Sequence, residues 1–316
     1  MIGQNPYNGN ISPLNELKSF FRKKDTLSRL ILINVVVFTL INIVSLFFYL
    51  LNIDQEFVQL NGVNRFTYLL SLPSDIFSFL LRPWSLITYM FVQEGVFHLF
   101  FNMLILYVGG QIFNRFIGSS KLLSVYILSG ITGAILYMLT FNIFPAFGSV
   151  VNTSFAIGSS AAVLGIFVAA ATFVPNLEMN VILFGNVKLK YIAILFIVLD
   201  ILNIRNANAG GHIAHIGGAL YGYFYINQLK KNIDYSLLFN KYWQSIYQLF
   251  KKKEQKTPFQ NVHRNHERPM SDEAYLKNKN KKQAEVNTIL EKIKKSGYDS
   301  LTTDEKQKLF KASRDS

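Results

Sequence analysis

The sequence predicts an all-α membrane protein, a bundle of six transmembrane helices followed by a small helical C-terminal extension. Three observations carry this. Half of the 316 residues are hydrophobic, with 28 Phe and 16 Tyr, and mean hydropathy is +0.24. Only 16% are charged, where a soluble chain carries about a quarter. The charges are also segregated. No Asp, Glu, Lys or Arg lies between Lys121 and Glu178, whereas residues 230–316 hold 20 of the 32 basic and 11 of the 19 acidic residues. A soluble enzyme is excluded. The chain has no cysteine, which removes disulfide frameworks, thiol nucleophiles and Cys-ligated zinc.

A helix needs about 20 largely apolar residues to cross roughly 30 Å of hydrocarbon. Leu30–Leu51 is the first such run. Arg22, Lys23, Lys24 and Arg29 precede it, but it is longer than a signal-peptide core and no small-residue cleavage site follows, so it reads as a retained span. Val96–Phe113, Leu122–Phe141, Thr153–Val174 and Gly211–Leu229 are further spans. Tyr191–Ile204 is the weakest, being short and carrying Asp200; a half-buried re-entrant helix is its alternative. Barrel strands are excluded because the apolar runs are continuous rather than alternating.

Lys and Arg in the short loops orient the bundle. Arg115 and Lys121, Lys188 and Lys190, and Lys230 and Lys231 share one side with the N-terminal cluster, while the loop around Pro145–Val151 has none. Both termini are therefore expected in the cytoplasm. The loop Asn52–Gly95 lies outside yet is rich in aromatics and Leu, so it is expected to pack on the membrane face as short helices, with Pro83-Trp84 as an interface anchor. The expected organisation is a cytoplasmic segment 1–27, a membrane domain 28–229, a basic polar linker 230–283 and a helical hairpin 284–316. In the hairpin, Val286, Ile289, Leu290 and Ile293 make one stripe, Ser296-Gly297 stops it, and Thr302 with Glu305 can cap the next helix. The basic runs Lys251–Lys253 and 277–282 suit an anionic lipid surface; no folded nucleic-acid reader accompanies them.

Polar groups within spans are costly and are functional candidates by default. They are His98 and Asn102, Ser159 and Ser160, Asp200, and His212 and His215. His98 and Asn102 lie four apart on one helical face. His215, Gly218 and Gly222 share a face, and Gly158, Ala161, Ala162 and Gly165 surround Ser160, so two small-residue surfaces allow close packing. Counted from the expected span ends, Ser160 lies ~10 Å and His215 ~6 Å deep, both in the outer half of the bilayer. A serine beside an imidazole is an activated nucleophile without a third member. Asn102, His98 and the Ser160 amide are candidate oxyanion donors.

Trp84-Ser85-Leu86-Ile87-Thr88-Tyr89-Met90-Phe91 with His98-Leu99-Phe100-Phe101-Asn102-Met103 resembles the first loop and second span of the rhomboid family of intramembrane serine proteases. Gly158-Ser159-Ser160-Ala161 resembles its Gly-x-Ser-Gly motif, and Ala214-His215-Ile216-Gly217-Gly218 through Gly222 its histidine helix. Tyr107-Val108-Gly109-Gly110 is similar to the end of its second span. The resemblance covers roughly residues 28–228. It implies Ser160 as nucleophile, His215 as general base, and His98 and Asn102 in the oxyanion hole. It implies no cofactor and, as substrate, a transmembrane helix entering laterally from the bilayer of a bacterial plasma membrane. The fifth span and the loop over the site would act as gate and cap. Four positions depart from the family: Gln93 where His is usual, expected still to donate as an auxiliary; Ala161 where Gly is usual; Leu164 where an aromatic holds the histidine; and Ser85 where Arg follows the loop Trp.

Other readings stand beside this one. Ser159 and Ser160 can be small interface residues bonded to the preceding turn. His212 and His215 can bind metal, but His-Glu-x-x-His is absent, as is the Gly-x-Gly-Asp of aspartyl intramembrane proteases, and no metal is expected. Asp200 is expected to pair with Arg205 or His212. A catalytically silent relative that binds transmembrane clients is the alternative function; a transporter is disfavoured because the inner halves of the spans offer few polar groups.

Overall fold

The computed structural model describes residues 25–53, 59–60, 63–181, 184–206, 208–250 and 271–314. The expected N-terminal segment and the run Lys251–Lys253 lie almost wholly outside them. The chain separates into two compact units, residues 1–251 and 252–316.

In the first unit, Asp25 starts α1 (Thr26–Leu50) by accepting the Ser28 amide on Oδ1 at 2.8 Å. The next loop holds a two-stranded ladder, β1 (Gln59–Leu60) with β2 (Val63–Asn64), then α2 (Arg65–Leu70), β3 (Leu72–Pro73), α3 (Ile76–Leu81) and α4 (Ser85–Thr88). Short helices are thus what this loop contains. Its Phe77, Leu80 and Leu81 side chains are exposed, an apolar patch that water would penalise. Trp84 Nε1 donates to the Leu69 carbonyl at 3.0 Å and Arg82 lies over the Tyr68 ring, so the loop is internally tied.

The bundle follows as α5 (Val96–Phe116), α6 (Ser119–Ile143), β4 (Phe155–Ala156) and α7 (Ser160–Phe173). It continues through a hairpin of β5 (Glu178–Val181) and β6 (Gly185–Lys188) to α8 (Leu189–Asn203) and α9 (Ala209–Leu229). Among the described residues, three helices, α1, α5 and α6, are long and apolar enough to cross a membrane by length and composition, and α7 is apolar but shorter. On α1, Leu32, Leu40, Ile43, Leu46 and Phe47 are exposed, an arrangement that water would penalise at about 25 cal/mol per Å². α7 is the centre: every residue from Ala161 to Ala171 is buried. The small strands were not foreseen in an all-α chain.

The fourth span differs from expectation. Helix begins at Ser160, not Thr153, because a turn at 151–153, the short strand Phe155–Ala156 and a second turn at Gly158–Ser159 take up the stretch before it. β4 pairs antiparallel with β3, Leu72 opposite Ala156 and Pro73 opposite Phe155. At about 21 Å, α7 is too short to cross alone. Non-helical backbone at such depth is tolerated where protein buries it, and Ser159 is fully buried. The chain therefore reaches Ser160 through a short strand and a turn, not through two helical turns.

α10 (Tyr235–Phe250) occupies part of the stretch expected as linker. Asp234 anchors its start, accepting from Ser236 N at 3.0 Å and from Tyr225 OH at 3.0 Å while pairing with Lys121.

The second unit contains α11 (Asp272–Ser296) and α12 (Thr303–Arg314). α11 starts twelve residues earlier than the expected hairpin, capped by Ser271 with Asp272 and Glu273 in its first turn. Gly297 ends it at φ +75°. Ile289 and Leu301 are its buried apolar side chains. Thr302 and Glu305 form a reciprocal cap, Thr302 N donating to Glu305 Oε2 at 2.7 Å and Glu305 N to Thr302 Oγ1 at 3.4 Å. The Lys292 ammonium on Glu305 holds its carboxyl down at about 2.

Candidate active site

Ser160 occupies the first position of α7, and the residues before it explain why. Ser74 N donates to the Ser154 carbonyl at 3.1 Å and Gly158 N to the Tyr89 carbonyl at 3.0 Å, fixing that stretch. Gly158 then turns at φ +125°, which side chains disfavour, and a Cβ there would sit 2.9 Å from His98 Cε1. The first amides of α7 have no intrahelical acceptor and lie at the positive end of its dipole. Ala161, the departure from the family motif, is buried and its carbonyl closely faces Gly218.

His98 comes from the first turn of α5. Its Nδ1 accepts the Glu94 backbone N–H at 3.3 Å, so Nε2 of the neutral ring carries the hydrogen. That Nε2 lies 3.2 Å from the Cβ position at Gly158, and Ser160 Oγ lies 3.3 Å from the same point. A donor therefore faces the turn that presents the serine.

Asn102, one turn on, is buried, and its Nδ2 donates to Gln93 Oε1 at 2.9 Å. Gln93 does not act as expected. Its Nε2 donates to Asn34 Oδ1 and to Ser159 Oγ, both at 2.9 Å, so its hydrogens are committed to the interior. The amide thus bonds Asn102 and Ser159 and has no Nε2 hydrogen left over for the cavity. Asn34 continues the network to Tyr126 OH at 3.3 Å. Asn34 was overlooked in the sequence, although a polar residue within a span was the available signal.

His215 lies in the second turn of α9. Glycines set how near α9 comes: a Cβ at Gly217 would fall 2.7 Å from Gly133 Cα, one at Gly133 2.6 Å from the Ala214 carbonyl, and those at Gly218 and Gly222 would collide with the carbonyls of Ala161 and Gly165. Ser160 and His215 line one cavity of about 200 Å³ with Asn102, Leu164, Phe196 and Asp200. His215 Nδ1 lies 2.8 Å from Asp200 Oδ1, and His212 Nδ1 lies 2.8 Å from the same oxygen. Asp200 thus pairs with His212, one of its two expected partners, and additionally with His215, which was not foreseen.

The ligand atoms of Asp200, His212 and His215 all lie within 4.8 Å of one another, a donor set of two imidazoles and a carboxylate that suits a divalent cation. The carboxylate absent from a His-Glu-x-x-His motif is supplied here by a neighbouring helix. A larger groove of about 710 Å³ opens between Leu136, Thr140, Phe147, Arg205 and Ile213, and neither Ser160 nor His215 lines it.

Comparison with known proteins bears on this arrangement. Residues 81–231 match the Rhomboid domain, and residues 271–315 match a family of unknown function, DUF6576. Rhomboid protease GluP of Bacillus subtilis is 31% identical over 144 residues, 45% of this chain and 25% of that protein. Rhomboid protease AarA of Providencia stuartii is 30% identical over 151 residues, 44% of this chain and 53% of that protein. RHOMBOID-like protein 6, mitochondrial, of Arabidopsis thaliana is 29% identical over 142 residues, 45% of this chain and 42% of that protein. The chain therefore spans between a quarter and about half the length of these relatives.

Proposed function

This chain belongs to the rhomboid family, and on that premise we propose that it is an intramembrane serine endopeptidase cutting within or near transmembrane helices of membrane proteins. The observation that carries the reading is the shared cavity: a serine at a helix N-terminus and an imidazole from a glycine-packed neighbour, with Asn102 beside them. In the proposed reaction the Ser160 hydroxyl attacks the peptide carbonyl while His215 Nε2 takes its proton. His98 Nε2–H, an Asn102 Nδ2–H and the first amides of α7 meet the developing oxyanion. His215 then protonates the leaving amine, and water, deprotonated by the same ring, hydrolyses the acyl-enzyme.

The proposal extends to topology. Six segments, built around α1, α5, α6, α7 with the strand that precedes it, α8 and α9, cross the bilayer of a bacterial plasma membrane, with both termini cytoplasmic. Residues 1–27 and 28–229 act as N-terminal segment and catalytic domain, the region from 230 that contains α10 joins them to a tail made of α11 and α12, and exposed lysines such as Lys277, Lys281 and Lys282 meet anionic headgroups.

The test is cleavage of a single-span reporter in membranes. Wild type is expected to cut it, and Ser160→Ala and His215→Ala to fall to background. Equal processing by all three removes the pair as the catalytic centre. A second reading, a silent relative that binds clients, draws on the His215–Asp200 bond, since Ser160 Oγ makes no bond to His215 in this conformation. Client binding without cleavage or fluorophosphonate labelling of wild type would favour it.

A further inference from the structure

Asp200 has no part in the two-residue chemistry just described, yet it is the buried carboxylate on which His215 rests. Its Oδ1 is 2.8 Å from His215 Nδ1, and it lines the same cavity as Ser160. We propose that Asp200 is a positioning residue for His215, so that the reactive unit is a serine–histidine–aspartate relay drawn from α7, α9 and α8. The inference rests on the protease reading and deepens it.

Hydrogen accounting decides the direction. An ionised carboxylate only accepts, so an imidazole nitrogen at 2.8 Å from it must carry the hydrogen. With hydrogen on Nδ1, the lone pair of neutral His215 is on Nε2, the nitrogen that must receive the serine proton. Without Asp200 both tautomers are open, and one of them presents Nε2–H to Ser160 and cannot act as base. When the ring takes the proton, the neighbouring carboxylate stabilises the imidazolium. Leu164 lines the cavity without offering an aromatic face, and the hydrogen bond to Asp200 holds the ring.

His212 occupies the same oxygen from one turn earlier on α9, also through Nδ1 at 2.8 Å. The two rings stand nearly perpendicular, 85° apart with centroids 6.0 Å distant, so each meets Oδ1 from its own side. His212 thereby fixes the carboxylate while the carboxylate fixes His215.

The test uses the full chain in bilayers with a single-span reporter. Asp200→Ala is expected to lower kcat about 10²- to 10⁴-fold with KM within about twofold. His212→Ala is expected to lose less than about tenfold, because the His215 bond survives. The thermal midpoint of each variant separates misfolding from misplacement. Nitrogen-15 chemical shifts of His215 in Ser160→Ala read the tautomer without any turnover: Nδ1–H is expected with Asp200 present and a mixture with Asp200→Ala. A kcat within about threefold of wild type for a folded Asp200→Ala, or an unprotonated Nδ1 with Asp200 in place, overturns the proposal. If wild type fails to cut while the Nδ1–H signature stands, the protease reading falls and the positioning geometry does not.

Discussion

Replacing Gln93 with Leu tests whether the buried amide network positions the site. The change nearly conserves volume and deletes three hydrogen bonds, each 2.9 Å long, to Asn34, Ser159 and Asn102. Hydrogen bonds between helices in bilayers average about 0.6 kcal/mol and reach about 1.7. Three give roughly 2 kcal/mol, and about 5 at most. Asn34 Nδ2 keeps the Leu30 carbonyl and Tyr126, so much of the network survives there. Asn102 Nδ2, by contrast, loses its acceptor in a buried position, which adds about 1–3 kcal/mol. A net loss of about 3–5 kcal/mol is expected, read from the fraction folded against SDS content in mixed micelles. Reporter cleavage should fall as well, by about tenfold to a hundredfold, since losing an oxyanion donor outright costs about 10²–10³. Gln93→His retains one donor and one acceptor and should lie between. An SDS midpoint and a cleavage rate both unchanged in Gln93→Leu would refute the role assigned to the network.

Gly218→Val drives a side chain into the Ala161 carbonyl; it should separate α7 from α9, destabilise by about 3 kcal/mol or more and abolish reporter cleavage, with the SDS midpoint as the check. Gly158→Ala faces both the φ of +125° and His98, so a loss of about 1–3 kcal/mol and a fall in cleavage are expected; wild-type behaviour would count against the turn's role. Glu305 titrates at about 2 when folded against an ordinary 4.5 because Lys292 favours its charged form. Its stabilising effect on α12 is therefore complete above about 4.5 and lost as pH falls toward 2. Hydrogen exchange of amides 303–314 in the full chain should quicken across that window, and Glu305→Gln should remove most of the pH dependence.

Much of this was legible from residue types. The apolar runs announced the long helices because lipid demands continuous helical stretches, and Thr302 with Glu305 announced a cap because that spacing satisfies two orphan donors. Gly218 and Gly222 announced the close approach of α9, since only a missing Cβ permits it. Other features were hidden because they depend on contacts distant in sequence. The short strand leading to Ser160 needs β3, some 80 residues away, to hold it; as sequence, residues 153–174 read as one apolar run. Gln93 read as a donor to substrate because its interior partner Asn34 stands 59 residues before it. Asp200 was conspicuous as an intramembrane acid, but nothing in its spacing said which imidazole it would meet.

Three of the fifteen residues of α8 are buried, Leu189, Ala193 and Asp200, so this helix is the loosely held wall of the cavity. If it is the wall that yields when a client helix slides in, its outward swing draws the aspartate off the imidazole. Admission and arming would then alternate: the open form receives its guest with a slack base, and closure behind the guest restores the base to working order. A bystander that keeps the wall ajar would meet a serine with nothing ready to take its proton.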